Sequence, residues 1–456
     1  MKIGFKYLII AIILIVGLYL RLNNLHETTT FTADQEWLAF KAKEVLSGNF
    51  VTLGPVTSIG NFSIGPWFIY LWSTFGIFSQ NAPITGAYLS VFLGMLTIIG
   101  MFLFVGYFID KKISYIILFL VSISSNLIFW DQIPWAPSLF YLSQIVLLSG
   151  AYMVTKNKIG YLLLVIGFVM GFSSHFGIIL SLISILIYFV FAKPVKIDLK
   201  IFLITTLILF VGLLPNFIFD LTHNFTNLKK IIDIANGDKF KYFVSFNNII
   251  NILSVHTASL IYPRNNITFD HIVIKSLLAL SLANAVRLLR NKKFKNLSLL
   301  LLITAIFPAI LFYFLQGKFS EYYLLMTVPS LIFLFTLFLK NFVNNKLILI
   351  PVVIIAIYLN FRQLSNRYVP WNLSAKENIV KEIIKIGGHD NYGISLTTSL
   401  GNNFGFKFIF DYYEIKADIP PKKGETKIFS IIIPEGFDGM VGMKDFDGIG
   451  LIWQGI

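Results

Sequence analysis

Apolar residues in this chain run in long blocks, and few stretches alternate at the period of a strand or a surface helix. A bilayer core of roughly 30 Å needs about 20 apolar residues per helical crossing. Eleven segments approach that length: 4–20, 83–109, 113–130, 137–154, 159–175, 177–192, 200–219, 271–289, 297–315, 322–340 and 346–361. Met1 to Leu20 carries two lysines and then an apolar run longer than a signal-peptide core, with no small-residue cleavage site. It is expected to stay as the first helix. A further stretch, Pro66 to Phe78, is short and aromatic, so it is either a twelfth span or a helix lying in the membrane interface.

The distribution of charge decides between those two readings. If Pro66 to Phe78 does not cross, one face of the membrane collects 16 lysines and arginines and only two acids, Asp110 and Asp198. That excess of 14 equals the net charge of the whole chain, and the other face is balanced. Positive charge gathers on the cytoplasmic side. A crossing at Pro66 to Phe78 would invert every later loop and scramble the separation, so the stretch is expected to be juxtamembrane. The expected architecture is a polytopic α-helical membrane protein of the plasma membrane, with about eleven spans and a cytoplasmic N-terminus.

Residues 21–82, 220–270 and 362–456 then face outward, and all six histidines fall on that side. In the tail, Ser374 and Glu377 have capping-box spacing and open a helix expected to reach about Ile386. Tyr392–Leu396 and Lys427–Ile433 read as strands between Gly, Pro and Asn turns. The expected division is a transmembrane module over 1–361 and a small extracytoplasmic α/β domain over 362–456.

Composition supports this picture and removes some functions. Of the 456 residues, 56% are hydrophobic and 13% charged, which demands lipid as the solvent for most of the surface. The basic excess sits in cytoplasmic loops, so it does not point to nucleic acid. The absence of cysteine excludes thiolate catalysis, disulfides and Cys-based zinc sites.

Candidate chemistry concentrates in the first outer loop. Asp34 and Glu36 precede a helical stretch from Trp37 to Leu46. Asp34 is either the cap of that helix or a carboxylate placed to meet a lipid-borne substrate and an aqueous acceptor together. Asp131 is either a solvated loop residue or a site carboxylate, and Glu321 either a favourable charge at a helix N-terminus or a site residue. His175, at the end of an apolar helix, is either hydrogen-bonded at the interface or part of a pocket. Asp34, Glu36, Asp131 and His175 are admissible ligands for a divalent cation, but no spacing forces one.

Several features in order resemble the membrane glycosyltransferases of GT-C fold, in the branch of protein O-mannosyltransferases and the bacterial aminoarabinose transferase. They are the acidic pair Asp34 and Glu36, the stretch Gly60-Asn61-Phe62-Ser63-Ile64-Gly65-Pro66-Trp67 with its aromatic helix, and Trp135-Ala136-Pro137. Gly171-Phe172-Ser173-Ser174-His175 and Glu321-Tyr322-Tyr323 complete the set. The resemblance implies a polyprenyl-phosphate-linked sugar as donor and an inverting transfer to an acceptor hydroxyl of a protein, glycan or lipid on the outer face. It makes Asp34 the base, with Glu36 its neighbour, although Gln35 intervenes where relatives have an adjacent pair. It also implies substrate binding by Asp131, His175, Asp220, His223, His256, Arg264, Glu321 and Tyr322, with Arg264 the phosphate partner. Where many relatives carry Asp-Pro, this chain has Ala136-Pro137, and Asp131 is the candidate replacement. Competing classes are a transporter or flippase, and a polymerase or ligase, of lipid-linked saccharides. The near absence of ionisable residues at mid-span weighs against transport.

Overall fold

Every one of the eleven apolar segments is helical in the computed structural model. The structure describes residues 3–58, 60–236, 245–263, 267–315, 321–388, 392–398, 405–423, 425, 427–433 and 444–454. Among them, six helices are long and apolar enough to cross a membrane: Gly4–Leu22, Thr85–Phe108, Ala136–Met153, Leu199–Thr222, Lys295–Phe314 and Lys346–Ser365. A seventh span results if Lys111–Ile123 and Ser125–Asp131, bent by 60° at Ser124, form one crossing. Gly160–Phe172, Gly177–Phe191 and Thr327–Phe342 are apolar but shorter. The chain is a multi-pass membrane protein, and its span count is lower by length alone than the eleven read from hydropathy.

The aromatic stretch is the helix Trp67–Ser79, whose 13 residues cover roughly 20 Å at 1.5 Å each. That is too short to cross. It packs instead between the loop helix Ala33–Leu46 and the span Thr85–Phe108.

The two acids of the lysine-rich face each have a structural reason to be there. Asp110 caps Lys111–Ile123 by accepting from the N–H groups of Lys112 at 2.7 Å and Ile113 at 3.2 Å. Asp198 caps Leu199–Thr222 by accepting from Ile201 N–H at 2.8 Å. Both satisfy donors that a helix start leaves without partners.

The tail forms the helix Leu373–Gly387 and a five-stranded sheet. Its strands are β1 (Tyr392–Thr398), β2 (Ala417–Asp418), β3 (Ile428–Ile433), β4 (Lys444–Phe446) and β5 (Ile449–Gln454), in the order β2-β1-β3-β5-β4. β1 runs parallel to β2 and β3, whereas β5 is antiparallel to β3 and β4. The helix begins one residue before Ser374 because Asn372, not Ser374, caps it, accepting from Ala375 N–H at 2.9 Å.

One buried cluster fills the space among the spanning helices; a second joins the first loop to the tail. In the second, Phe31 and Phe40 pack on Phe408, Lys43 pairs with Asp411 at 2.5 Å, and Lys376 Nζ donates to the Phe31 carbonyl at 2.7 Å. The first loop and the tail therefore lie on the same side of the membrane.

Candidate active site

A cavity of about 230 Å³ opens where the first loop meets the helix ends. Asp34 and Leu38 line one side, and residues Pro55 to Ser58 form another. Trp135, Ala136 and Pro137 contribute the start of a span; Ser174, His175, Phe176 and Tyr322 complete the wall.

Asp34 reaches this cavity because it is not needed as a cap. The Gln35 side-chain oxygen accepts from the N–H of Thr32 at 2.9 Å and from its hydroxyl at 2.8 Å, closing the helix start. The Asp34 carboxyl remains accessible from the cavity mouth. The surrounding protein displaces enough water to raise its pKa above the ordinary 3.8.

The wall opposite is built by a strap. Gly54 N–H donates to Ile64 O at 2.9 Å, Thr57 N–H to Phe62 O at 2.7 Å, and Val56 pairs antiparallel with Ser63. The strap closes so tightly that a Cβ on Gly54 would stand 2.2 Å from the Gly65 carbonyl oxygen. Asn227 fixes it from outside, accepting from Ser63 N–H at 2.6 Å and donating to Ser63 O at 3.0 Å. At its tip, the Ser58 hydroxyl meets the hydroxyls of Tyr322 at 3.0 Å and Tyr323 at 2.8 Å. Desolvation first, and the nearby Asp34 charge among smaller causes, push the Tyr322 phenol up to about 12, so it stays protonated.

Ser173 to Phe176 make the turn between the helices Gly160–Phe172 and Gly177–Phe191. There Gly177 N–H donates to His175 Nδ1 at 3.0 Å. The ring is 5% exposed, and burial lowers its pKa to about 3. The neutral ring thus carries its proton on Nε2. The Ser173 and Ser174 hydroxyls and His175 Nε2 are buried without a hydrogen-bond partner.

The other expected site residues fall elsewhere. Glu36 does not line the cavity; its carboxylate accepts from Phe408 N–H of the tail at 3.1 Å. Asp131 is 3% exposed and turned away, held by Arg21 Nε at 2.7 Å. It does not line the cavity beside Ala136-Pro137. Asp220 accepts from the N–H groups of Asn227 at 2.8 Å and Leu228 at 3.3 Å, capping the helix Thr226–Asn236 that carries the clamp on the strap. His223 is exposed and stacks on Phe219 at 4.0 Å. His256 Nδ1 lies 3.2 Å from the Thr327 hydroxyl. Arg264 and the Glu321 side chain lie outside the described residues. Among the described residues, no three His, Asp or Glu side chains converge as a metal site would require. Sequence reasoning missed Ser58, which gives no motif, and Arg21, which reads as an ordinary flanking charge.

A long helical membrane body, a first-loop carboxylate at a cavity between helix ends, and a small α/β tail fit the GT-C class, and the chain has that fold. No protein-family model and no curated protein sequence matches it. The likeness is to solved structures. ArnT from Cupriavidus metallidurans, an aminoarabinose transferase, matches bound to undecaprenyl phosphate (TM-score 0.61) and in the apo state (0.63). Each match is 10% identical and covers 99% of this chain and 98% of that one. The archaeal oligosaccharyltransferase AglB from Archaeoglobus fulgidus, in complex with an inhibitory peptide and a dolichol-phosphate, matches with a TM-score of 0.51. It is 13% identical over 93% of this chain and 69% of its own.

Proposed function

We propose that this protein is an inverting glycosyltransferase that moves a sugar from a polyprenyl-phosphate donor to an acceptor hydroxyl at the outer face of the plasma membrane. The observation that carries this reading is the position of Asp34, uncapped and at a cavity beside the membrane helices. The GT-C neighbours support it, because ArnT is bound to undecaprenyl phosphate and AglB to a dolichol-phosphate.

In the proposed reaction the acceptor oxygen attacks the anomeric carbon as its proton passes to an Asp34 carboxylate oxygen. The bond from that carbon to the phosphate oxygen breaks, and polyprenyl phosphate leaves with the electron pair. A carboxylate whose pKa is raised toward working pH accepts a proton more readily than an ordinary one. Arg264 is proposed to meet the departing phosphate, where negative charge accumulates. The outward orientation rests on the gathering of positive charge in the opposite loops. Residues 1–361 act as the catalytic module in this reading, and 362–456 as an extracytoplasmic domain docked on the first loop.

The test is transfer from an undecaprenyl-phosphate-linked sugar by the purified full-length protein and by its Asp34→Asn variant. Loss of transfer with an unchanged elution profile and melting temperature supports the reading; full activity in the variant overturns it.

A further inference from the structure

The cavity has a chemically lopsided lining. Its one charged member among the described residues is Asp34, and it is negative. No cation among the described residues lines this part of the cavity, and burying a second anion beside a carboxylate is costly. Facing Asp34 are polar groups with nothing to bond. Ser174 is 2% exposed and His175 5%, and the Ser174 hydroxyl and His175 Nε2 are unpartnered. A buried donor left unpaired is unfavourable, so these groups are poised to recover that loss from a ligand. Because Gly177 N–H occupies Nδ1, the imidazole can offer only its Nε2–H, and its ligand atom must be an acceptor.

Beside them stands Trp135. Trp130 covers one of its faces, stacked at 5.4 Å with 5° between the planes, and Tyr322 meets it edge-on at 6.1 Å. The indole is held rigid, half-buried, and lines the cavity. An aromatic plane next to neutral donors, in a space of about 230 Å³, suits one sugar ring and is too small for a polyprenyl chain.

Resting on the glycosyltransferase reading above, we infer that Trp135, Ser174 and His175 form the subsite for the transferred sugar. The ring of the sugar lies along the indole. His175 Nε2–H donates to a neutral oxygen of the sugar, a hydroxyl or an acylamino carbonyl. The phosphate of the donor stays outside this subsite. His175 is thus a specificity residue that works as a neutral donor, and never as a cation for the phosphate.

The experiment measures binding to the full-length protein in lipid nanodiscs with two probes: undecaprenyl phosphate, and undecaprenyl phosphate bearing a hexose, an N-acetylhexosamine or an aminopentose. His175→Phe keeps the aromatic packing against Phe140 and Phe176 but removes the donor. It is expected to weaken the best sugar-bearing lipid roughly 3- to 10-fold, the value of one hydrogen bond, and to leave bare undecaprenyl phosphate unchanged. Trp135→Ala is expected to do the same. His175→Gln, which restores an N–H near the Nε2 position, should recover most of the loss. Affinity of the wild type for the sugar-bearing lipid, a phosphodiester that does not itself titrate there, should stay flat between about pH 5.5 and about pH 8, where a titrating histidine would change it. Equal weakening of both lipids by His175→Phe, or a loss of affinity as pH rises through that range, would assign the subsite to phosphate and overturn the inference while sparing the function. A wild type that binds neither kind of lipid overturns both.

Discussion

Asp34 and Glu36 stand on the same helical turn and face opposite partners. Asp34 lines the cavity, whereas Glu36 accepts the Phe408 N–H of the tail at 3.1 Å. Two residues along an α-helix turn the side chain by roughly 200°, so an acidic pair at this spacing cannot serve one site. Gln35 between them takes the cap. In the proposed reaction the three positions divide into proton acceptance, helix start and domain docking.

Asp34→Asn removes the proton acceptor but keeps the shape and most hydrogen bonds. Transfer should fall at least about 100-fold, with donor affinity changed less than about threefold. Single-turnover rates and lipid binding on the same preparation separate the two quantities.

The acid limb of the pH profile should lie above the range of an ordinary aspartate. Asp34 must be ionised to accept a proton, and desolvation raises its pKa from 3.8. Activity is therefore present above the raised pKa and lost as pH falls through it. A profile of kcat/KM whose acid limb sits at or below about 3.9, the free aspartate value, would place the base elsewhere.

The tail should dock more firmly as alkalinity increases. Lys376 is 1% exposed, and burial lowers its pKa to about 8 from 10.5, with the charge of Glu36 opposing. The folded state binds fewer protons than the unfolded state between those values, so stability rises with pH across that window. Protease protection of residues near Phe408 should be greater at pH 10 than at pH 8. Glu36→Gln should loosen the tail in the same assay while keeping transfer within a few-fold of the wild type.

Arg21 and Asp131 form a buried ion pair braced by the carbonyls of Gly17 at 3.1 Å and Ser122 at 2.9 Å. Removing either partner alone strands the other charge and should cost about 3–5 kcal/mol, read as a lowered melting temperature in detergent. Replacing both with apolar residues should recover much of that loss. A normal melting temperature for Arg21→Met combined with weaker donor binding would instead return Asp131 to the substrate site.

Gly65→Ala should damage the site through the strap. Its Cβ would stand 2.4 Å from the Ser173 hydroxyl oxygen, directly behind the sugar subsite. The strap and the Ser173–Phe176 turn must separate, so KM should rise at least severalfold with little change in melting temperature. Equal values of KM in both proteins would show that the close approach is dispensable.

Much of this protein follows from local chemistry that the sequence displays. Helical blocks follow from apolar length, because backbone groups in lipid must bond within their own segment. The charge count argued against a crossing at Pro66 to Phe78, since each loop carries its own lysines, and the helix found there has only 13 residues. Even the two exceptions on the basic face, Asp110 and Asp198, are local: each caps the helix that follows it. The strands β1 and β3 were legible as apolar runs between turns.

Only the tertiary structure decided which polar residues meet. Asp131 looked equally fit for solvent or substrate until Arg21, 110 positions away, claimed it. Asp220 was expected at the substrate, and its carboxylate meets the start of the helix Thr226–Asn236. Ser58 gives no signal in sequence, yet its hydroxyl ties the strap to Tyr322 and Tyr323. Hydrophobic burial is additive along a chain and can be read locally. A hydrogen bond needs one partner at one distance and angle, and folding alone brings that partner into place.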